Sequence, residues 1–215
     1  FLYKHFFDIV VRVKKTGCKV GTTTNGMLLN RQEINRLVAS GIDHVAFSMT
    51  GVGENNDTAR KGTDFKKILQ AISDLVAEKK ALHVETPMVN VAYLLLRSHL
   101  SDIDNIVSLL AGLGIQHVVI STLDFVPGTN LQKERLMPQD EREYRELKSL
   151  LDRLVMAGKQ AGLIISYRLV SPGKRNRNCT ENIERSLFVS ADGTFSPCVF
   201  TNIPACESFH TVQVC

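Results

Sequence analysis

The chain has 215 residues, 44% hydrophobic and 22% charged, with 26 Lys and Arg against 22 Asp and Glu for a net charge of +4. That length supports one or two domains with a sizeable core, and the composition excludes a disordered tail, a collagen-like repeat and a disulfide-packed miniprotein. The charge is too weak and scattered for a nucleic-acid interface, and no apolar run approaches the roughly 18–20 residues of a membrane span.

Phe1 to Val13 carries Lys4, His5, Asp8 and Arg12 throughout, which is not the pattern of a signal peptide. Opening on Phe rather than Met, the chain reads as a piece of a longer protein that starts inside a helix. A first strand is expected over Lys19–Thr24. Asn30-Arg31-Gln32-Glu33 then resembles a capping box, with Asn30 accepting from the backbone and Glu33 reaching back. Leu37 and Val38 continue that helix and Gly41 closes it.

A second strand is expected over His44–Met49. From Phe65 to Lys80, the residues Phe65, Ile68, Leu69, Ile72, Leu75 and Val76 form one apolar stripe at helical spacing. Strands are expected over Met88–Leu95, His117–Leu123 and Leu163–Leu169, rich in Val, Ile and Thr. The helices between them run from Ile103 to Leu113, ending at Gly114, and from Met137-Pro138 through Tyr144, Leu147, Leu150, Leu151, Leu154 and Val155.

Hydrophobic strands alternating with amphipathic helices predict βα units around a parallel sheet, either a barrel or an open doubly wound sheet. The character changes near Ser171-Pro172-Gly173. Ser186 to Ser190 and Thr194 to Phe200, joined by Ala191-Asp192-Gly193, read as a hairpin. The expected organisation is a unit of βα repeats over residues 1–170 and a small cysteine-bearing unit over 171–215.

In parallel α/β folds ligands bind at the C-terminal strand ends. Thr24-Asn25-Gly26, Ser48-Met49-Thr50-Gly51 and Leu123-Asp124 with Pro127-Gly128 occupy those positions, although Asn-Gly and Thr-Gly pairs also simply make turns. Arg60, ahead of the helix that begins near Thr63, suits a carboxylate or phosphate through paired N–H donors; a loop cation beside Lys61 is the alternative. No Walker-type loop and no GxGxxG appears. The six histidines show no paired ligand spacing; His44, His83 and His117 are placed at strand beginnings and read as structural. Asp140, Glu141 and Glu143 fall on a first helical turn, where the helix dipole favours them.

Cys18 stands alone, whereas Cys179, Cys198, Cys206 and Cys215 crowd the tail. An odd total without a signal peptide argues against a disulfide framework and for an intracellular metal or cluster site. Thirteen residues separate Cys179 from Gly193 and four separate Gly193 from Cys198, a spacing that a hairpin folds back into one neighbourhood. The tight Cys-x-x-Cys knuckle of zinc sites is missing. Thiolates gathered from a hairpin and later loops suit a 4Fe-4S cluster, with buried free cysteines as the other reading.

Taken together, Thr24-Asn25-Gly26-Met27-Leu28, Gly41-Ile42-Asp43-His44-Val45-Ala46-Phe47-Ser48 and Arg60-Lys61-Gly62 with Phe65 opening a helix resemble radical S-adenosylmethionine enzymes. The segment from Cys179 to Cys198, with Phe188-Val189-Ser190-Ala191-Asp192-Gly193 and Ser196-Pro197-Cys198, resembles the start of their SPASM or Twitch extension. The resemblance covers about residues 5 to 200 and implies an α/β fold: a partial (βα) TIM-type barrel of parallel strands, entered at its second helix, followed by a small cysteine-bearing β-hairpin extension.

It further implies an enzyme in the full-length form. Such an enzyme cleaves S-adenosylmethionine reductively on a 4Fe-4S cluster held by an N-terminal Cys-x-x-x-Cys-x-x-Cys loop, and the resulting 5'-deoxyadenosyl radical abstracts hydrogen from a substrate. This chain has no such loop and is expected to be inactive as given, with no catalytic residue of its own assigned. By position, Ser48 would contact S-adenosylmethionine, Arg60 would pair with its carboxylate, Thr24 and Asn25 would line the same mouth, and Leu123 would pack near the adenine. Cys179 and Cys198, completed by Cys206 and Cys215, would ligate an auxiliary cluster.

The resemblance also implies a cytoplasmic protein with a peptide or protein substrate and an electron donor such as ferredoxin or flavodoxin. Two departures stand out. The usual Ser-x-Asp-Gly is Ser48-Met49-Thr50-Gly51, and Val199 stands where sulfatase-maturing relatives carry an acidic residue. A non-catalytic iron–sulfur or zinc-binding module on a barrel remnant, and an ordinary α/β barrel enzyme using Arg60 for an anionic substrate, are the rival readings.

Overall fold

Two sides of every strand face different surroundings, and the sequence alternates accordingly. In the computed structural model, which describes residues 3–123, 129–172 and 184–199, the strands are β1 (Gly21–Thr24), β2 (His44–Met49), β3 (Met88–Leu95), β4 (His117–Thr122) and β5 (Ile164–Tyr167). They form one five-stranded, all-parallel sheet in the order β1-β2-β3-β4-β5. Val45, Phe47, Met49, Val89, Val91, Tyr93, Val118, Ile120 and Ile165 point to one face and are buried. The register aligns Ala46, Asn90, His117 and Ile164 in one row of the other face, and Ser48, Ala92, Val119 and Ser166 in the next. That face is open: Val119 is 43% and Ile164 65% exposed.

The covered face lies under α1 (Phe6–Lys15), α2 (Arg31–Ala39), α4 (Phe65–Ala81), α5 (Ile103–Leu110) and α6 (Glu141–Gln160). Their buried stripes include Val10, Leu37, Ile72, Leu75, Ile106 and Leu151. A short α3 (Glu54–Ala59) follows β2, and a 3₁₀ turn, Arg97–Asp102, follows β3. The sheet is a partial, unclosed α/β barrel.

The chain divides into two compact units, Phe1–Val170 and Ser171–Cys215. In the second, β6 (Phe188–Val189) pairs antiparallel with β7 (Phe195–Ser196). The turn between them has Ser190 N–H donating to the Thr194 carbonyl at 3.0 Å, and Asp192 accepting from the Thr194 N–H at 3.0 Å.

Several boundaries differ from expectation for local reasons. The first helix starts at Phe6, not before Phe1. Asn30 caps α2 by accepting from the Glu33 N–H at 2.9 Å, but the Glu33 carboxylate pairs with Arg36 at 3.0 Å instead of reaching back. α6 begins at Glu141 rather than Met137, because Asp140 caps the Arg142 and Glu143 amides at 2.9 and 2.8 Å. α5 stops at Leu110, where Ala111 turns extended. Gly114, at φ +78°, instead allows close approach, since a Cβ there would lie 2.7 Å from Val76 Cγ1. His83 falls in the turn after α4 at φ 53° rather than at a strand beginning.

Asp43, just before β2, ties the base of the sheet together. Its carboxylate takes Lys14 Nζ of α1 at 2.7 and 2.8 Å and the Val20 N–H at 2.7 Å, while its carbonyl takes the Met88 N–H at 2.7 Å. The Lys14 hydrogen bond and then the Val20 amide hold its carboxyl below the ordinary 3.8. A carboxyl lowered on folding stabilises the protein above its unfolded pKa, and that contribution is lost as pH falls through the lower folded value. Asp43→Asn is therefore expected to reduce stability at neutral pH and to flatten the decline below about pH 4 in denaturation profiles; an unchanged acid limb would contradict this.

Candidate functional site

The C-terminal ends of β1, β2 and β4 carry the residues singled out from the sequence. Thr24 ends β1 and Asn25 follows it. Both side chains serve their own turn, Thr24 Oγ1 accepting from the Gly26 N–H and Asn25 Oδ1 from the Met27 N–H, each at 3.1 Å. Ser48 lies near the end of β2 on the open face, half-buried, with Thr50 and Gly51 just beyond. Leu123 follows β4 and is half-buried. Asp124, Pro127 and Gly128 lie outside the described residues.

The loop after β2 is unusually well tied. Three successive amides are each held by a different side chain: Thr50 N–H by Asn56 Oδ1 at 3.0 Å, Gly51 N–H by the Tyr93 hydroxyl at 3.1 Å, and Val52 N–H by Asp102 Oδ2 at 3.0 Å. These partners come from α3, β3 and the 3₁₀ turn, so three elements converge on one strand end. Burial raises the Tyr93 hydroxyl well above its ordinary pKa, which keeps it neutral. The pattern's aspartate is missing at Thr50, and Asn56 and Asp102 supply side-chain oxygens to this loop.

Arg60 caps α3 at its C-terminus in a non-helical conformation. Its carbonyl accepts from Thr63 Oγ1 at 2.7 Å, and the Phe65 N–H that opens α4 donates to Asp57 Oδ2 at 3.1 Å. The guanidinium Nε is buried and has no hydrogen-bond partner among the described residues, and the same holds for Thr50 Oγ1. A charged donor in that state calls for an anionic acceptor.

On the open face His117 Nε2 lies 2.7 Å from Ser166 Oγ, a structural pairing as expected for that histidine. His99 is buried, with its Nδ1 unpartnered among the described residues. A concavity of about 470 Å³ runs along α6 between Arg145, Lys148, Arg153 and Met156. It is a groove on one helix, away from the strand ends, and it has no bearing on the site.

Of the tail cysteines, Cys198 is buried just after β7; Cys179, Cys206 and Cys215 lie outside the described residues. Among the described residues no group of three or more His, Cys, Asp and Glu is placed to hold a metal ion. No helix among them is long and apolar enough to cross a membrane.

Sequence reading named Ser48 and Arg60 but not Asn56, Tyr93 and Asp102, which hold the loop after β2. Tyr93 sits on the covered face among apolar residues and looks like core. Asn56 belongs to a one-turn helix whose Glu54-Asn55-Asn56-Asp57 run has no apolar stripe to announce it.

The fold defines a class: a partial, unclosed α/β barrel sheet with polar residues at its C-terminal strand ends. The same architecture is present in SuiB of Streptococcus suis, solved with S-adenosylmethionine, at TM-score 0.67 and 11% identity over 94% of this chain and 48% of that one. It is also present in anSMEcpe with bound AdoMet and Cp18Cys peptide, at TM-score 0.63 and 18% identity over 94% of this chain and 58% of that one. The chain shares its fold with these two S-adenosylmethionine-bound structures.

In sequence it is 25% identical, over 57% of its length, to a tungsten-containing aldehyde ferredoxin oxidoreductase cofactor-modifying protein of Pyrococcus furiosus, covering 35% of that protein. No family model matches the chain. It spans about a third of that curated relative and about half of SuiB.

Gly51 is at φ +81°, and a Cβ there would sit 2.8 Å from His99 Nδ1 and 3.0 Å from Asn55 Cβ. Gly51→Ala is therefore expected to cost about 1–3 kcal/mol in urea denaturation and to raise exchange at the neighbouring amides. A wild-type midpoint would contradict the tight packing of this loop.

Proposed function

We propose that the chain is the S-adenosylmethionine-binding part of a radical enzyme, with the auxiliary iron–sulfur unit beginning in its tail. The observation that carries this reading is Arg60, whose buried Nε lacks a partner in the loop leaving the C-terminal end of β2. An amino-acid carboxylate satisfies that donor, and a bidentate guanidinium–carboxylate pair fixes the ligand's orientation as well as its charge. The residues present therefore fit the group that the fold implies.

In this reading Arg60 holds the carboxylate. Ser48, on the open face, donates to or accepts from the ligand, and Thr24 and Asn25, on the neighbouring strand end, line the same mouth. Leu123, after β4, gives the adenine an apolar surface. The chemistry supplied when S-adenosylmethionine is bound to a reduced 4Fe-4S cluster is sulfonium cleavage to a 5'-deoxyadenosyl radical and hydrogen abstraction from substrate. Cys179, Cys198, Cys206 and Cys215 are the proposed auxiliary cluster ligands, and Cys198 is buried just after β7.

A peptide or protein is the first candidate substrate, since SuiB is solved with its precursor peptide SuiA and anSMEcpe with the Cp18Cys peptide. The Pyrococcus relative's description makes a cofactor the second candidate. The proposed electron donor is a ferredoxin or flavodoxin, and the proposed compartment is the cytoplasm.

The test is anaerobic binding and turnover of S-adenosylmethionine by the full-length, cluster-loaded protein. Arg60→Ala is expected to weaken binding about ten- to hundred-fold, the range for losing hydrogen bonds to a charged group. Cys198→Ala is expected to lower bound iron by one cluster, about four atoms. Absence of both S-adenosylmethionine binding and 5'-deoxyadenosine formation in the wild type would refute the reading.

A further inference from the structure

Asn56 is a polar residue with 0% exposure, and its side chain joins two parts of the site that are separate in sequence. Its Oδ1 accepts the Thr50 N–H at 3.0 Å, two residues beyond Ser48. Its Nδ2 donates to Thr63 Oγ1 at 3.2 Å, and Thr63 Oγ1 in turn donates to the Arg60 carbonyl at 2.7 Å. The Arg60 N–H completes the loop on the Asn56 carbonyl at 2.9 Å. An unbroken path of hydrogen bonds therefore runs from the strand end that carries Ser48 to the backbone of Arg60.

We infer that Asn56 and Thr63 are positioning residues, which hold the Arg60 backbone in register with the end of β2 so that its guanidinium projects from a fixed point toward the S-adenosylmethionine carboxylate. The inference rests on the functional reading above. A buried amide is costly unless both its ends are satisfied, and here each end serves a different segment. Burial by packing alone needs no such group: a leucine would fill the space, but the Thr50 N–H would lose its acceptor. Thr63 is only half-buried, so its hydroxyl serves the link more than the core. Fixing the Arg60 backbone before the ligand arrives reduces the ordering that binding must accomplish.

A thermodynamic cycle tests this in the full-length, cluster-loaded protein, with equilibrium binding of S-adenosylmethionine as the readout. Thr63→Val and Asn56→Ala are each expected to raise the dissociation constant about three- to ten-fold in the wild-type background. Neither should add a further effect in the Arg60→Ala background, because both act through Arg60. Thr63→Ser, which keeps the hydroxyl, is expected to restore wild-type affinity.

Amide exchange separates the two links: Asn56→Ala should speed exchange at Thr50, while Thr63→Val should leave it unchanged. If Asn56→Ala fails to fold, Thr63→Val alone reads the same bridge. Unchanged affinity in Thr63→Val, or an equal loss with and without Arg60, would overturn the inference while leaving the functional reading in place. A wild type that does not bind S-adenosylmethionine would overturn both.

Discussion

All the major helices of the first unit press against one face of a single parallel sheet, and the chemistry of the protein depends on that sidedness. Removing Val45, Phe47, Val91, Val118 and Ile120 from water stabilises the fold by on the order of 1.5–3 kcal/mol for each side chain. Because side chains alternate along a strand, satisfying that face leaves the other to residues of a different kind. In register order it presents Ala46, Asn90, His117 and Ile164, then Ser48, Ala92, Val119 and Ser166, a mixture of small, polar and exposed apolar side chains without Asp, Glu, Lys or Arg. The open face is thus a consequence of how the core is built.

Parallel strands also leave every C-terminal end on the same edge, and the loops there must satisfy their own backbone groups. After β2 this is done by side chains from three other elements, Asn56, Tyr93 and Asp102, rather than by water. The loop's amides are therefore satisfied within the protein, which in the proposed reading reduces the ordering that ligand binding must accomplish. At the opposite edge Asp43 performs the matching task, drawing Lys14, Val20 and Met88 onto one residue. One edge of the sheet is fastened for stability and the other is fastened around unpaired donors and hydroxyls.

Much of this was legible in the sequence. β2 and β3 have the bounds expected from their β-branched and apolar composition, and the stripe from Phe65 to Val76 lies on α4 as read. Ser48 and Arg60 were singled out because strand ends in parallel sheets are where ligands bind and because their neighbours carry a family pattern, and they lie near the end of β2 and at the end of α3. What escaped notice has no local signal. Tyr93 is spaced as a core residue, and its role exists only because Gly51 arrives next to it from another strand. Asp102 likewise acts across fifty residues of sequence. Helix ends shifted where a side-chain cap outcompeted the apolar period, as Asp140 did ahead of α6. The ligand roles of Cys179, Cys206 and Cys215 rest on spacing and resemblance, since those residues lie outside the described structure.

The most direct test of the account is a crystal structure of the full-length protein with S-adenosylmethionine bound. The account predicts the ligand at the C-terminal edge of the sheet, its carboxylate within hydrogen-bonding distance of the Arg60 guanidinium and the loop from Thr50 to Val52 unmoved. A ligand bound elsewhere, or bound at that edge with Arg60 turned away, would contradict it.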